Sequence, residues 1–107
     1  MSERMPQEVV DAVHARAGYA CEAMVPPVCT GAGEHLHHRQ LRSQGGEHTV
    51  NNLVSVCSAC HEWCHRNPRQ AEARGLIVRS VHDPGTTKVR YRNGGYVLLV
   101  DVDPEHY

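Results

Sequence analysis

The sequence is poor in the large aromatic side chains that usually fill a small protein core. Its 107 residues include no phenylalanine, one tryptophan and four tyrosines. A single domain of this size buries only a thin core, and such domains often gain stability from a bound structural metal. The shortage of aromatic residues therefore favours a metal as a supplement to the core.

Long apolar runs are also missing. No stretch approaches the roughly 20 apolar residues of a membrane span, and the first residues, MSERMPQEVVDAVHARAG, lack the apolar run of an export signal. We therefore expect a cytoplasmic protein with no membrane partner. The five cysteines are an odd number, which suits metal binding in a reducing compartment better than a disulfide framework.

The net charge of −1 conceals an uneven distribution. Residues 1–34 have a net charge of −3 and residues 93–107 also have a net charge of −3. Residues 35–92 have a net charge of +5, from nine basic and four acidic side chains. The segment 35–65 also holds six of the nine histidines and three of the five cysteines. This distribution favours a phosphate-facing surface between two acidic ends over charge that is merely solvated.

The pattern of apolar and turn residues predicts helices and strands in the first three quarters of the chain. We expect a helix over 7–17 ending at Gly18, a loop over 18–33, a strand over 34–38, a polar loop over 39–51 and a return strand over 53–57. A second helix should begin with Ser58 as its N-cap, and Pro68 should end or restart it before a stop at Gly75.

The last part of the chain has a strand-like composition. The segments LIVRSV, TKVRYR and YVLLVDV are rich in valine and tyrosine, with turn residues at Asp83-Pro84-Gly85 and Asn93-Gly94-Gly95. We therefore expect an α+β protein with a domain over 1–75. A C-terminal antiparallel β hairpin or small sheet over 76–107 should pack on that domain.

Four cysteines could supply the ligands of a structural zinc site. Cys57 and Cys60 form a CxxC turn, and Cys21 and Cys29 bracket the preceding loop. Four thiolates close a tetrahedral zinc site, which contributes folding energy directly. Cys64 lies on another face of the helix, and we expect it to be a small buried side chain.

Other interpretations of this cysteine pattern fit less well. CSACH matches the haem c attachment motif, but that chemistry needs export and leaves Cys21 and Cys29 without a role. A thioredoxin-like motif needs a βαβ context, which is absent. A two-Cys, two-His finger needs an intervening loop, whereas His61 follows Cys60 directly.

A second group consists of His37, His38, Asn52, His61 and His65. His61 and His65 are four residues apart and share one helix face, and the histidine pair lies at a strand end. A strand end and a helix face can bring three imidazoles to one ion. Such a site leaves a coordination position open for water or a phosphate oxygen, as catalysis requires.

The segment HHRQLRSQGGEHTVNNLVSVCSACHEWCH resembles the HNH endonuclease motif of the ββα-metal, or His-Me finger, nucleases. The resemblance covers residues 18–66 and includes the histidine pair, the Gly-Gly, the Asn-Leu and the CxxCH helix start, in order. It implies a small zinc-stapled ββα-metal domain that hydrolyses DNA phosphodiesters. Stand-alone proteins of this length are typical of bacteriophages and their hosts.

The resemblance also implies a role for each residue of the second group. His38 would be the general base, and Asn52 would orient the His38 imidazole or hold the active-site loop. His37, His61 and His65 would bind one catalytic divalent ion. The family often has aspartate at the position of His37, so histidine there favours zinc, nickel or manganese over magnesium alone.

The implied partner is DNA. Arg39, Arg42 and Arg66 lie close to the motif and are candidate phosphate contacts, whereas we expect His35 and His48 to be non-ligands. Some such proteins act beside a phage terminase or other packaging proteins, and either a monomer or a homodimer is compatible with the sequence. The alternative function is a non-catalytic zinc module that binds nucleic acid or protein and does not need His38.

Overall fold

A computed structural model describes residues 4–92 and 94–101. Three α-helices occur in it: α1 (Gln7–Ala17), α2 (Ser58–Arg66) and α3 (Pro68–Ala73). Two antiparallel pairs of strands accompany them: β1 (His35–His38) with β2 (Leu53–Val56), and β3 (Val89–Arg90) with β4 (Tyr96–Val97). The expected α+β class is confirmed.

Helix α1 ends where the sequence predicts. Gly18 takes the left-handed conformation, with φ of 64°, and its N–H donates to His14 O at 2.8 Å. Glycine adopts this conformation without the steric cost that a Cβ imposes, so the chain turns here into the loop that carries Cys21 and Cys29. None of the helices in the described part of the chain is long and apolar enough to cross a membrane.

The β1–β2 hairpin lies at the centre of the fold. His38 pairs with Leu53 and His35 with Val56, and all four residues of β2 are buried. Valine, leucine, alanine and cysteine side chains build the core around β2, together with Leu76, Val89 and Leu99. Small aliphatic and sulfur-containing side chains thus replace the missing phenylalanines.

A buried ion pair ties α1 to the rest of the core. Arg16 donates from Nε and Nη2 to the carboxylate of Glu22 at 2.6 and 2.9 Å. The same carboxylate accepts Tyr91 OH at 2.7 Å and the N–H of Ser55 at 2.8 Å. A buried carboxylate is stable only when its oxygens are hydrogen-bonded in this way, so Glu22 fixes α1, β2 and the C-terminal part relative to one another.

Two expectations about element boundaries are wrong. The N-cap of α2 is Cys57, not Ser58, because Cys57 Sγ accepts the N–H of Cys60 at 3.3 Å. LIVRSV (residues 76–81) is not a strand, although Leu76 and Val78 are buried. Its carbonyls accept side-chain donors instead: His37 Nε2 lies 2.7 Å from Leu76 O, and Gln40 Nε2 donates to Arg79 O at 2.9 Å.

The other C-terminal segments form shorter strands than expected. Only Val89–Arg90 of TKVRYR and Tyr96–Val97 of YVLLVDV are strands, and Leu99–Asp101 is a 3₁₀ helix. The turn at Asp83-Pro84-Gly85 is part of another 3₁₀ helix, Pro84–Thr86. Asn93 of the second expected turn and Val102 of the last segment lie outside the described residues.

Candidate functional site: a thiol cluster and a histidine cluster that meet at helix α2

Cys21, Cys29, Cys57 and Cys60 come together as predicted. Their sulfur atoms all lie within 4.8 Å of one another, and none forms a disulfide. Four sulfurs around one zinc ion at a Zn–S distance of about 2.3 Å would be about 3.8 Å apart. The cluster is therefore close to the dimensions of a zinc site.

Backbone N–H groups surround the sulfurs in the manner that thiolates require. Thr30 N donates to Cys57 Sγ at 3.4 Å, Val25 N to Cys60 Sγ at 3.4 Å and Gly31 N to Cys29 Sγ at 3.3 Å. The hydrogen bonds from Thr30 and Cys60 outweigh burial and lower the pKa of Cys57 to about 6, whereas burial raises the pKa of Cys60. One thiolate is thus favoured at neutral pH even without an ion, and the donor set fits zinc.

The histidines of α2 form the second cluster. His61 Nε2 and His65 Nε2 lie 3.3 Å apart across one helix turn. Two nitrogen ligands on one tetrahedral ion, each at about 2.05 Å, would be about 3.3 Å apart. The spacing of these two nitrogens fits a shared metal ion.

His37 approaches this pair from β1. The centre of its ring lies 5.3 Å from that of His61 and 6.3 Å from that of His65. His37 Nε2 lies 2.7 Å from Leu76 O, so this nitrogen carries the proton in the neutral ring and Nδ1 keeps its lone pair. A ligating histidine commonly holds a backbone carbonyl with its other nitrogen in this way.

Burial and the neighbouring imidazoles favour the uncharged form of His37 and His61. Burial lowers the pKa of His37 to about 4, with smaller contributions from His61 and His65. Burial also lowers the pKa of His61, assisted by His65 and His35. Neutral imidazole is the form that binds a metal ion, so these rings are ready as ligands at neutral pH.

His38 faces a different neighbour. Its Nε2 lies 3.0 Å from Nδ1 of His48, ten residues later in the chain. Burial, followed by His48 and Arg42, lowers the pKa of His38 below its usual value. The side chain is half-buried and predominantly neutral at pH 7, as a general base must be.

Asn52 is fully buried and holds the loop that follows β1. Its Oδ1 accepts the N–H of Gln40 at 2.7 Å, and its Nδ2 donates to Gln40 O and Glu47 O, each at 3.0 Å. These three bonds go to backbone groups. Of the two roles predicted for Asn52, the geometry is that of the residue that holds the loop.

A family model named HNH endonuclease matches residues 28–67. The chain contains an HNH domain. The matched residues include β1, β2 and α2, and with them every histidine of the second cluster. Neither the curated proteins nor the solved structures include a match to the chain.

The HNH domain holds Cys29, Cys57 and Cys60, whereas Cys21 precedes the matched residues. The thiol cluster therefore joins the domain to the loop that follows α1. Cys64 has no exposed surface, in agreement with its predicted place in the core.

The three arginines predicted to contact phosphate occupy different places. Arg39 is 1% exposed and donates to four backbone carbonyls, including Gly75 O at 2.7 Å and Thr87 O at 2.6 Å. A buried guanidinium with these partners cannot reach DNA, so its prediction as a phosphate contact is corrected to a structural one. Arg42 and Arg66 are exposed; Arg66 pairs with Glu62 at 2.7 Å, and Arg42 donates to Gly46 O.

Sequence reasoning missed two neighbours of the clusters. His35 stacks on His61 with ring centres 5.0 Å apart, and its Nε2 lies 3.0 Å from Ser58 Oγ. His48 contacts His38. The alternation of β1 places His35 on the same face as His37, which is a signal for the first contact. The second depends on how the loop folds back, and no local pattern reveals it.

Proposed function

We propose that this protein is a metal-dependent endonuclease that hydrolyses DNA phosphodiester bonds, with His38 as the general base. The observation that carries the proposal is the gathering of three imidazoles beside α2, with His38 adjacent to one of them in the chain. The ring centres of His37, His61 and His65 lie 4.8 to 6.3 Å apart, and His38 directly follows His37. Membership of residues 28–67 in the HNH endonuclease model supports a nuclease with a nucleic-acid substrate.

The catalytic ion would be held by Nδ1 of His37 and Nε2 of His61 and His65. Three nitrogen donors suit zinc, nickel or manganese, and magnesium is a further candidate. Such an ion supplies stabilisation of the negative charge on the phosphate and on the departing 3′ oxygen. The thiol cluster would hold a separate structural zinc ion.

The protein's own part is to place a base beside the phosphate. His38 would take a proton from the attacking water, and its lowered pKa keeps it in the receptive neutral form at pH 7. Arg42 is exposed in the loop after β1 and Arg66 at the end of α2, and both are candidates to bind DNA phosphates. We further propose that residues 1–75 are one functional domain and that residues 76–107 extend it.

The proposal is tested by cleavage of supercoiled and linear DNA with the full-length, zinc-loaded protein in magnesium, manganese, nickel or zinc. His38→Ala should lower the cleavage rate by about 10²- to 10⁴-fold, the usual contribution of a general base. His14→Ala is the matched control, because His14 lies on α1 and outside both clusters. Equal rates for the parent and His38→Ala would refute the assignment of the base.

Metal titration separates the ligands from the base. His61→Ala and His65→Ala should weaken binding of manganese to the zinc-loaded protein, whereas His38→Ala should retain it. If the parent cuts DNA with none of these ions but still binds DNA, the non-catalytic zinc module is the better description.

A further inference from the structure

The contact between His38 and His48 joins two ring nitrogens, so the direction of its hydrogen bond is linked to the tautomer of each ring. His38 Nε2 and His48 Nδ1 are 3.0 Å apart, and the two rings are tilted by 53° with centres 5.1 Å apart. At this distance one nitrogen donates a hydrogen and the other accepts it. A neutral imidazole has one N–H, so a bond at one ring nitrogen determines the state of the other.

The backbone is built to keep these two residues together. Asn52 Nδ2 and Oδ1 bind both backbone groups of Gln40, two residues after His38, and Nδ2 also binds Glu47 O, immediately before His48. Gly46 closes the loop, since a Cβ at that position would overlap the carbonyl of Gln40. The fully buried amide of Asn52 therefore fixes the chain beside each histidine.

We propose that His48 is the positioning residue of His38. His48 accepts the Nε2–H of His38 at Nδ1, which keeps the lone pair of His38 on Nδ1 and prevents the ring from rotating. This inference rests on the proposed function, because only a base needs that lone pair. In the opposite arrangement, with His48 as donor, Nε2 of His38 would accept the hydrogen bond and Nδ1 would carry the hydrogen. Neither nitrogen of His38 would then offer a free lone pair to a water molecule.

Nitrogen NMR tests the tautomer without any cleavage. In the full-length, zinc-loaded protein labelled with ¹⁵N-histidine, two-bond correlation spectra at about pH 8, where free imidazole is neutral, distinguish protonated from unprotonated ring nitrogens. Signals of His38 are assigned from their loss in His38→Ala. We expect Nε2 protonated and Nδ1 unprotonated in the parent, and a mixture of the two tautomers in His48→Ala. A parent protonated at Nδ1, or a tautomer unchanged in His48→Ala, would overturn the inference.

Kinetics tests whether the contact matters for the reaction. His48→Ala should lower the single-turnover cleavage rate by about tenfold to a hundredfold, as for residues that orient a histidine through its second nitrogen, with little change in the DNA concentration at half-saturation. His48→Asn supplies an amide oxygen as acceptor and should recover part of the rate. His48→Phe fills the space without an acceptor and should not.

Zinc content and urea midpoints identify variants that fold like the parent, and His14→Ala is again the control. Equal rates for His48→Phe and His48→Asn would reduce His48 to a packing residue and overturn the inference. Failure of the proposed function is recognised separately. In that case the parent does not cleave DNA, while the NMR experiment still reports the tautomer of His38.

Discussion

Replacement of Asn52 offers a quantitative test of the loop that carries His38 and His48. Asn52→Ala removes three hydrogen bonds of 2.7 to 3.0 Å to the backbone of Gln40 and Glu47. A neutral hydrogen bond contributes about 1 kcal/mol net, and a buried group left unpaired costs more. We therefore expect Asn52→Ala to lower the free energy of unfolding by about 3 kcal/mol, a large part of the stability of a small domain.

Asn52→Asp sharpens the test because it changes the charge at nearly constant shape. One carboxylate oxygen can still accept the N–H of Gln40, but the other would face two carbonyl oxygens. The protonated acid is the compatible form, so the pKa of this aspartate should rise above its usual value of about 3.9. Its contribution to stability is then present at low pH and is lost as pH rises through the raised pKa.

Urea unfolding of the zinc-saturated protein, followed by the fluorescence of Trp63, measures both variants. Trp63 is the single tryptophan of the chain and lies on α2. With a slope of about 2 kcal/mol per molar urea, a loss of about 3 kcal/mol moves the midpoint by about 1.5 M. A loss of less than about 1 kcal/mol in Asn52→Ala, or no gain in the stability of Asn52→Asp relative to Asn52→Ala on acidification, would refute this role of the three hydrogen bonds.

Three further outcomes are expected. Cys57→Ser should leave less than one zinc ion per chain after dialysis against a weak chelator and lower the thermal midpoint, because one of the four ligands is lost; metal analysis and calorimetry measure these effects. Gly18→Ala and Gly75→Ala both place a Cβ on a left-handed residue, which should lower the free energy of unfolding by about 1–2 kcal/mol. Only at Gly75 does that Cβ overlap the carbonyl of Lys88, so urea unfolding should show a loss about 2 kcal/mol larger there. Because the pKa of His37 is about 4 in the fold and about 6.5 unfolded, the unfolded chain binds more protons between these values. The stability that His37 contributes is therefore present above about pH 6.5 and lost towards about pH 4, and His37→Gln should show a shallower decline over this range.

Helix ends and the positions of β2 and α2 could be predicted, because they depend on local sequence. Gly18 and Gly75 end helices because a left-handed residue is needed there, and the Asn-Leu and CxxC patterns locate β2 and the start of α2. The grouping of the four cysteines was likewise predictable, since ligand type and number define a zinc site with little regard to the intervening chain.

Long-range use of backbone groups could not be predicted. The composition of LIVRSV is typical of a strand, yet two of its carbonyls bind the side chains of His37 and Gln40, which lie 39 residues earlier in the chain. Arg39 was a candidate for DNA contact because it follows the histidine pair, but it is buried among carbonyls from residues 51–87. Neither outcome can be predicted from the hydrophobic periodicity or the composition of the segment concerned.

The two clusters depend on each other through the start of α2. Cys57 accepts the N–H of Cys60 at its sulfur, and its carbonyl accepts the N–H of His61 at 2.9 Å. The residue that completes the thiol cluster is thus also the cap of the helix that presents His61 and, one turn later, His65. A helix of nine residues is too short to be stable by itself. An ion at the four thiols would therefore fix the direction of both imidazoles, and its loss should weaken the histidine cluster although no sulfur is among that cluster's predicted ligands.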